Sequence, residues 1–97
     1  MFARLTIVRT KVGKTDEAVE VSKESVVPAA KSQKGFVGAQ LLTEPNGKGI
    51  MMTFWDTEED AIANEKSGYY QQQLAKFKDL FAGPPIHEGY DVAFKTD

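Results

Sequence analysis

The segment from Gly49 to Ala61 restricts the fold of this chain more than any other. Its first half is apolar on both alternating faces, with Ile50, Met52 and Phe54 on one and Met51 and Trp55 on the other. A β-strand with one face in water would instead alternate apolar and polar residues. We therefore expect both faces of this strand to be covered, which a chain of 97 residues does not easily achieve alone. The segment thus predicts a partner subunit.

The second half of the same segment is typical of a helix start. Thr57 is followed three residues later by Asp60, an arrangement similar to a capping box. Glu58 and Glu59 lie between them, where the helix dipole favours negative charge. We therefore expect the strand to lead directly into a helix that begins near Thr57.

The remaining apolar patterns predict four strands and two helical regions in the order β-α-β-β-α-β. We expect the strands at residues 2–8, 36–43, 49–55 and 86–94. A hairpin turn at residues 44–47 should join the second strand to the third, because Asn46-Gly47 suits the positive φ angles of tight turns.

The two helical regions should each contain an interruption. The first should begin with Thr15 as its cap and end at Gly35, with a kink or a short second helical piece at Pro28. The second should break around Ser67-Gly68 and then resume. An i, i+4, i+7, i+11 apolar stripe predicts that it extends almost to the stop at residues 83–85: Tyr70, Leu74, Phe77 and Phe81.

This order of elements predicts an α+β fold. It is that of the ferredoxin-like split βαββαβ arrangement with an antiparallel sheet, here over residues 1–97 as a single domain. In that topology the first and third strands are central, and the helices cover one face of the sheet. The other face still carries large apolar residues, so a homodimer is the simplest way to cover it.

The composition excludes several classes of function. The net charge is −2 with both signs interspersed, so we expect neither nucleic acid nor a membrane as a partner. There is no cysteine and His87 is the only histidine, which argues against thiolate chemistry and predicts no metal site. We find no signal peptide and no apolar segment long enough to span a bilayer, and we expect a cytoplasmic protein.

Several short motifs carry a resemblance to a known family. They are Val12-Gly13-Lys14, Val27-Pro28-Ala29, Gly35-Phe36, the run from Phe54 to Ala61, and Leu80-Phe81-Ala82-Gly83-Pro84. In these motifs, which extend over nearly the whole chain, it resembles the antibiotic biosynthesis monooxygenase domain family, whose members fold as dimeric α+β barrels. The resemblance therefore implies a homodimer of that type.

The family includes enzymes that oxidise quinols or polycyclic phenols with molecular oxygen and no cofactor. The resemblance implies a cofactor-independent monooxygenase of the quinol-monooxygenase type, acting on a small apolar or aromatic metabolite. Such an enzyme needs an apolar pocket, a base and hydrogen-bond donors. The alternative is a non-catalytic, ligand-binding or stress-associated barrel, which agrees with the lack of an evident set of base and donors.

This chain has only some of the residues that are typical of two branches of the family. The heme-degrading branch has an Asn, a Trp and a His where this chain has Thr6, Asn64 and Gln73, so the resemblance disfavours heme degradation. The quinol-monooxygenase-like branch often has two histidines in the second helical region. Here Glu65 and Tyr69 occupy those positions.

The candidate site combines residues from strands and helices. The residues predicted to contact a substrate are Arg4, Met51, Trp55, Asn64 and Tyr69. The candidate catalytic groups are Tyr69 and His87, since only histidine has an unperturbed pKa suited to proton transfer near neutrality.

Each candidate also has a purely structural interpretation. Trp55 and Met51 are common core residues, and His87 also suits a surface or an interface. Arg4, among apolar neighbours, requires either a carboxylate such as Asp91 or Glu88, or an anionic ligand. Tyr70 belongs to the apolar stripe, so it is predicted to lie in the core.

Overall fold

One antiparallel sheet of four strands forms the base of the molecule. The strands are β1 (Phe2–Arg9), β2 (Phe36–Thr43), β3 (Lys48–Trp55) and β4 (Ile86–Asp91) in a computed structural model that describes residues 1–96. They lie in the order β2-β3-β1-β4. The α+β ferredoxin-like fold predicted from the sequence is confirmed, with the first and third strands at the centre.

The pairing of β1 with β3 determines which residues share a face. On the side that none of the described helices covers, named here the open face, the opposed pairs are Ala3 with Phe54, Leu5 with Met52 and Ile7 with Ile50. On the other side, the helix face, they are Phe2 with Trp55, Arg4 with Thr53 and Thr6 with Met51. The central strands are therefore apolar on the open face except at one end, where Arg9 lies opposite Lys48, whereas the helix face mixes apolar and polar residues.

The first helical region is divided, as Pro28 predicts. It consists of α1 (Thr15–Val21), a π-helical turn (Ser22–Val26) and α2 (Val27–Lys31). Pro28 lies in the first turn of α2, where the missing N–H of proline is tolerated.

Both predicted ends of this region differ from the structure. Thr15 is the first helical residue and not its cap; its hydroxyl pairs with that of Thr10 at 2.7 Å. The helix ends at Lys31, and Gly35 follows later, at the entrance to β2. Gly35 thus belongs to the loop that leads into the strand and does not terminate the helix.

The second helical region breaks where the sequence predicts. It consists of α3 (Glu58–Glu65) and α4 (Gly68–Ala75). The hydroxyl of Thr57 accepts a hydrogen bond from the N–H of Asp60 at 3.1 Å, as expected of an N-terminal cap. Ser67 caps α4 in the same way.

The expectation that α4 continues to Phe81 is wrong. After Ala75 the chain forms turns, and the backbone near Phe81 is bonded to the end of β1. The N–H of Lys11 donates to the carbonyl of Leu80 at 2.8 Å. These long-range bonds hold the chain in a direction that a continuous helix would not take.

The last strand is shorter than predicted. It ends at Asp91, and the N–H of Val92 makes one more bond, to the carbonyl of Met1 at 2.9 Å.

The predicted hairpin between β2 and β3 is confirmed. The N–H of Glu44 donates to the carbonyl of Lys48 at 2.9 Å, and Gly47 has a φ of +96°. The N–H of Thr10 donates to the carbonyl of Gly47 at 2.8 Å, so the turn is also attached to the end of β1.

Two apolar clusters lie between the helices and the sheet. The first contains Phe2, Trp55 and Ala61 with Phe36 packed against them, and the second contains Ala18, Phe77 and Leu80 with Phe81. Phe2 starts β1 and Phe81 bridges to Thr10, so the clusters lie at opposite ends of that strand. The space between them is less completely filled.

Gly35 is required by its surroundings as well as by its backbone. Its φ is +82°, a conformation that residues with a Cβ rarely adopt. A Cβ at this position would overlap the side chain of Asp60, whose own Cβ would lie only 2.8 Å away. Gly13 has a similar φ of +79°, but a Cβ there would meet nothing within 4 Å.

We expect Gly35→Ala to lower the free energy of unfolding by more than Gly13→Ala. The left-handed backbone costs either variant about 1–2 kcal/mol, and Gly35→Ala adds the overlap with α3. Urea denaturation of both variants and the wild type measures the difference. Equal losses would contradict the prediction, because Asp60 would then move aside at no cost.

Candidate functional site

A cavity of about 110 Å³ lies between the helix face of the sheet and the helices. It is named here the helix–sheet cavity. Its apolar wall residues include Val8, Val19, Val26, Leu41, Met51, Trp55, Leu74 and Phe77. Its polar wall residues include Arg4, Thr6, Thr53, Asn64, Glu65, Tyr69, Tyr70 and Gln73. Polar groups at defined positions in such a wall can fix the orientation of a bound molecule.

The structure brings the predicted substrate-contact residues together. All five lie in the wall of the helix–sheet cavity: Arg4, Met51, Trp55, Asn64 and Tyr69. Tyr69 is 55% exposed, so its ring lies at the outer edge of the cavity. His87 is not part of the wall, but it contacts two wall residues. Binding of a substrate by any of these residues stays a prediction.

Trp55 is held rigidly. It is 1% exposed, and its ring meets the ring of Phe36 edge-on with 5.5 Å between centroids. Its indole N–H donates to the hydroxyl of Thr53 at 2.9 Å. Because that donor is already used, Trp55 offers a bound molecule mainly an apolar surface.

Three polar side chains meet at one side of the cavity. Thr6 and His87 are neighbours across β1 and β4, and the Thr6 hydroxyl is 3.3 Å from His87 Nδ1. The Tyr70 hydroxyl, from α4, lies 3.1 Å from Nδ1 and 3.2 Å from Nε2 of the same imidazole. Three elements, β1, α4 and β4, thus contribute to one hydrogen-bonded group.

The sequence did not predict the contact that Tyr70 makes in this site. Its apolar spacing assigned the ring to the core, and the hydroxyl of Tyr69 was expected to reach the pocket instead. The ring does line the cavity, but the hydroxyl extends past it to His87. The helical spacing carried no signal for this contact, because it depends on the position of β4.

Burial and neighbouring charges keep both members of this pair neutral at physiological pH. Burial raises the pKa of Tyr70 above its ordinary value of 10.0, and Glu65 adds to that effect, while Thr6 and Arg4 oppose it. Partial burial lowers the pKa of His87 below 6.5, as does the charge of Arg4, while Glu65 opposes them. A neutral imidazole beside a protonated phenol can accept a proton.

Arg4 forms an ion pair with Glu65. Its Nε lies against Glu65 Oε1, and both atoms are buried although the side chains are about one quarter exposed. The expectation that Arg4 pairs with Asp91 or Glu88 is wrong. Glu88 lies opposite Leu5, on the other face of the sheet. The pair instead joins β1 to α3 across the cavity wall.

Gly89 provides the space for Arg4. It lies opposite Arg4 in the pairing of β1 with β4. A Cβ at this position would be 3.2 Å from Arg4 Nη1 and 2.6 Å from Phe2 Cζ. A larger residue would therefore push the guanidinium away from β4.

Within residues 1–96, no group of three or more His, Asp or Glu side chains is arranged to hold a metal ion. None of the helices in that range is long and apolar enough to cross a membrane.

Comparison with protein families gives one result. The family model described as antibiotic biosynthesis monooxygenase matches residues 1–76. That range contains all five predicted substrate-contact residues and Tyr70, but not His87. A comparison with curated proteins gives no match.

Comparison with solved structures identifies the same fold. A putative antibiotic biosynthesis monooxygenase from Bordetella bronchiseptica has a TM-score of 0.85 at 14% identity, over 96% of this chain and 97% of that chain. A protein of unknown function from Nitrosomonas europaea has a TM-score of 0.81 at 18% identity, over 99% of this chain and 93% of that chain. At such identities the likeness shows the fold alone.

The environment of His87 can be measured directly, because it is the only histidine of the chain. We expect its imidazole resonances to titrate with a pKa below 6.5, since partial burial and Arg4 both disfavour the charged ring. Arg4→Met should raise this pKa, and Glu65→Gln should lower it further. NMR titration of the three proteins provides the measurement.

The same shift predicts how stability depends on pH. A lowered pKa means that the unfolded state binds more protons between the folded pKa and about 6.5. The free energy of unfolding should therefore decrease as pH falls through that interval, and His87→Gln should remove this contribution. An unshifted His87 pKa in the wild type would contradict both expectations.

Proposed function

Because the chain belongs to the antibiotic biosynthesis monooxygenase family, we propose that it is a cofactor-independent monooxygenase for a small aromatic or quinol-like molecule. The observation that carries the proposal is the contact between Tyr70 and His87 at the wall of an apolar cavity. The cavity supplies the apolar surroundings of an aromatic ring. The neutral imidazole supplies the base.

The reaction begins with removal of a proton from the substrate. Its hydroxyl group, or an acidic C–H beside a carbonyl, gives the proton to the Tyr70 hydroxyl, which passes its own proton to His87. The resulting anion is electron-rich and transfers electrons to O2. One oxygen atom forms a new bond to carbon, and the other leaves as water with two substrate hydrogens. In a quinol, a ring C–H thus becomes C–OH while the ring is oxidised to the quinone; in a substrate with a CH2 group beside the ring, that group becomes a carbonyl. Neither reaction consumes a further reductant.

The size of the cavity favours a small substrate. At about 110 Å³ it is smaller than an engineered cavity of roughly 150 Å³ that holds benzene. A single-ring quinol therefore requires a modest displacement of the wall, and a polycyclic phenol a larger one. Tyr69, which is about half exposed, can provide such a displacement by turning towards solvent.

The remaining site residues have distinct proposed roles. Trp55 and Met51 contact the faces of the aromatic ring. Asn64 and Tyr69 offer hydrogen-bond donors to its oxygen atoms, and Tyr69 is a second candidate for proton transfer. Arg4 faces the cavity with a positive charge.

The alternative is a ligand-binding or stress-associated barrel without catalysis. It is favoured by two contacts that occupy groups an enzyme would use. The Trp55 N–H is bonded to Thr53, and Arg4 is paired with Glu65. In that case the cavity would hold an aromatic molecule unchanged.

The open face of the sheet supports a homodimer. It carries the apolar side chains of both central strands, together with exposed residues of the edge strands: Leu42 at 49%, Ile86 at 59% and Tyr90 at 52% exposure. Exposed apolar patches of this kind are typical of subunit interfaces. We propose that two copies pack through their open faces to form the dimeric α+β barrel.

We expect Met52→Glu to convert the dimer into a monomer. Met52 lies in the middle of β3, so the substitution places a charge at the centre of the open face, where burial is costly. Val12→Glu is the matched control, because Val12 is a fully exposed residue in a turn. Light scattering at micromolar concentration distinguishes the two. A monomeric wild type would refute the proposed assembly.

Oxygen consumption tests the proposed activity. We expect the protein to consume O2 with at least one member of a panel of hydroquinones and anthrones. His87→Gln should lower kcat by about 100-fold, the lower end of the usual contribution of a general base. Tyr70→Phe should also lower kcat if the hydroxyl relays the proton. Comparison with Tyr69→Phe identifies which of the two tyrosines contributes.

The control is Tyr90→Phe, which removes a hydroxyl from the opposite face of the sheet. No uptake above the buffer rate with any substrate would refute the enzymatic proposal. Binding of the same compounds, followed by calorimetry, would then support the ligand-binding barrel.

A further inference from the structure

A second depression lies beside the helix–sheet cavity. It has a volume of about 350 Å³ and is named here the outer groove. Its wall residues include Leu74, Phe77, Lys78, Phe81, Ala82 and Pro85. Lys78 and Ala82 are exposed, so the groove is open to solvent. Apart from Lys78 these side chains are apolar, and a ligand that covers them removes apolar surface from water.

Three side chains belong to both spaces and are named here the partition. Leu74, Phe77 and Phe81 line the helix–sheet cavity on one side and the outer groove on the other. The rings of Phe77 and Phe81 are stacked, with 4.9 Å between centroids and 18° between planes. Because the same residues line both spaces, the partition is only one side chain thick.

Phe81 is the member of the partition that can turn aside. Phe77 is 7% exposed and belongs to the second apolar cluster, whereas Phe81 is only partly buried and packs against that cluster. The backbone at Phe81 is fixed, because it bridges to Thr10 and the next N–H, of Ala82, donates to the carbonyl of Arg9 at 2.7 Å. Movement of the ring is therefore a rotation about its side-chain bonds and needs no shift of the chain.

The distance from the acid–base pair to the partition limits what can reach it. His87 lies opposite Thr6 on β1, and Phe81 bridges to Thr10 on the same side of the molecule. The four positions from Thr6 to Thr10 correspond to about 13 Å along a strand. A phenol is about 4 Å long from its oxygen to the opposite ring carbon, and an extended alkyl chain advances about 1.3 Å per carbon. A phenol beside Tyr70 therefore needs a chain of roughly seven carbons to reach the partition.

We propose that Phe81 determines which ligands the site accepts, by turning aside so that an apolar chain on the aromatic ring passes from the helix–sheet cavity into the outer groove. The ligand class is thus a phenol with a linear alkyl chain of about eight carbons or more. This proposal rests on the proposed function for the position of the ring, and it extends that function to the shape of the ligand.

The test compares the binding of phenol, 4-butylphenol and 4-octylphenol by calorimetry, under argon so that no oxidation occurs. The butyl chain ends inside the cavity, whereas the octyl chain passes the partition. Burial of each further methylene raises affinity about fourfold. We expect the wild type to bind 4-octylphenol about tenfold more tightly than 4-butylphenol, less than the full gain for four methylenes because Phe81 must leave its stacked position.

The first variant removes the ring that closes the passage. Phe81→Ala should raise the ratio of the two affinities by about fivefold, since one stacked aromatic pair no longer has to be broken. Phe94→Ala is the matched control, because it removes the same ring from a residue that is 79% exposed. If Phe81→Ala does not fold, Phe81→Leu retains apolar contact with less bulk, and the ratio should rise by a smaller factor.

The second variant fills the outer groove. Ala82 lines the groove but not the helix–sheet cavity. Ala82→Phe should bring the ratio of affinities for 4-octylphenol and 4-butylphenol close to one, because the end of the octyl chain then has no apolar surface to cover. Ala75→Phe is the matched control, since Ala75 is an exposed residue of α4 outside both walls.

The outcomes distinguish this proposal from the proposed function. A ratio that rises in Phe81→Ala and falls in Ala82→Phe supports the passage even if no substrate causes oxygen uptake. A ratio that keeps its wild-type value in either variant, or that changes equally in the matched control, would overturn it, whatever the oxygen measurements give. Failure of 4-octylphenol to bind the wild type would also overturn it.

Discussion

The antiparallel pairing of β1 with β3 is the interaction on which both the cavity and the proposed assembly depend. Because side chains alternate between the faces of a strand, a register shift of one residue would exchange the two faces of β1 relative to β3. In the observed register Leu5 lies beside Met52 on the open face, and Arg4 lies beside Thr53 under the helices. One pairing thus collects mainly apolar surface on the outside of the sheet and a mixture of polar and apolar side chains on the inside.

The elements that depend on neighbouring residues were predictable from the sequence. The hairpin at residues 44–47 and the start of α3 after Thr57 follow from a few adjacent side chains. The central position of β3 follows from its apolar character on both faces. The end of α4 was not predictable in this way. The local signal, an apolar stripe that continues to Phe81, predicts a longer helix than the structure contains. The bonds that fix the chain there come from the end of β1, far away in the sequence.

The site was predictable as a set of wall residues but not as a set of contacts. Arg4 was correctly expected to need a partner, yet the acidic residues of β4 were the wrong ones. The alternation along that strand turns Glu88 to the open face, and Gly89 lies beside Arg4. Glu65 reaches Arg4 only because α3 packs across β1. Tyr70 and His87 meet for a similar reason, since a helix and an edge strand must both be in place before the two side chains can touch.

The edge strand β4 joins the two faces of the molecule. Ile86 and Tyr90 lie on the open face, whereas His87 between them lies on the helix face beside Thr6. Among the four described strands β4 pairs only with β1, so the distance from His87 to Tyr70 depends on how firmly β4 lies against β1. A partner subunit packed on Ile86 and Tyr90 would restrain the strand from behind. In the proposed dimer, subunit contact would therefore also stabilise the contact between His87 and Tyr70.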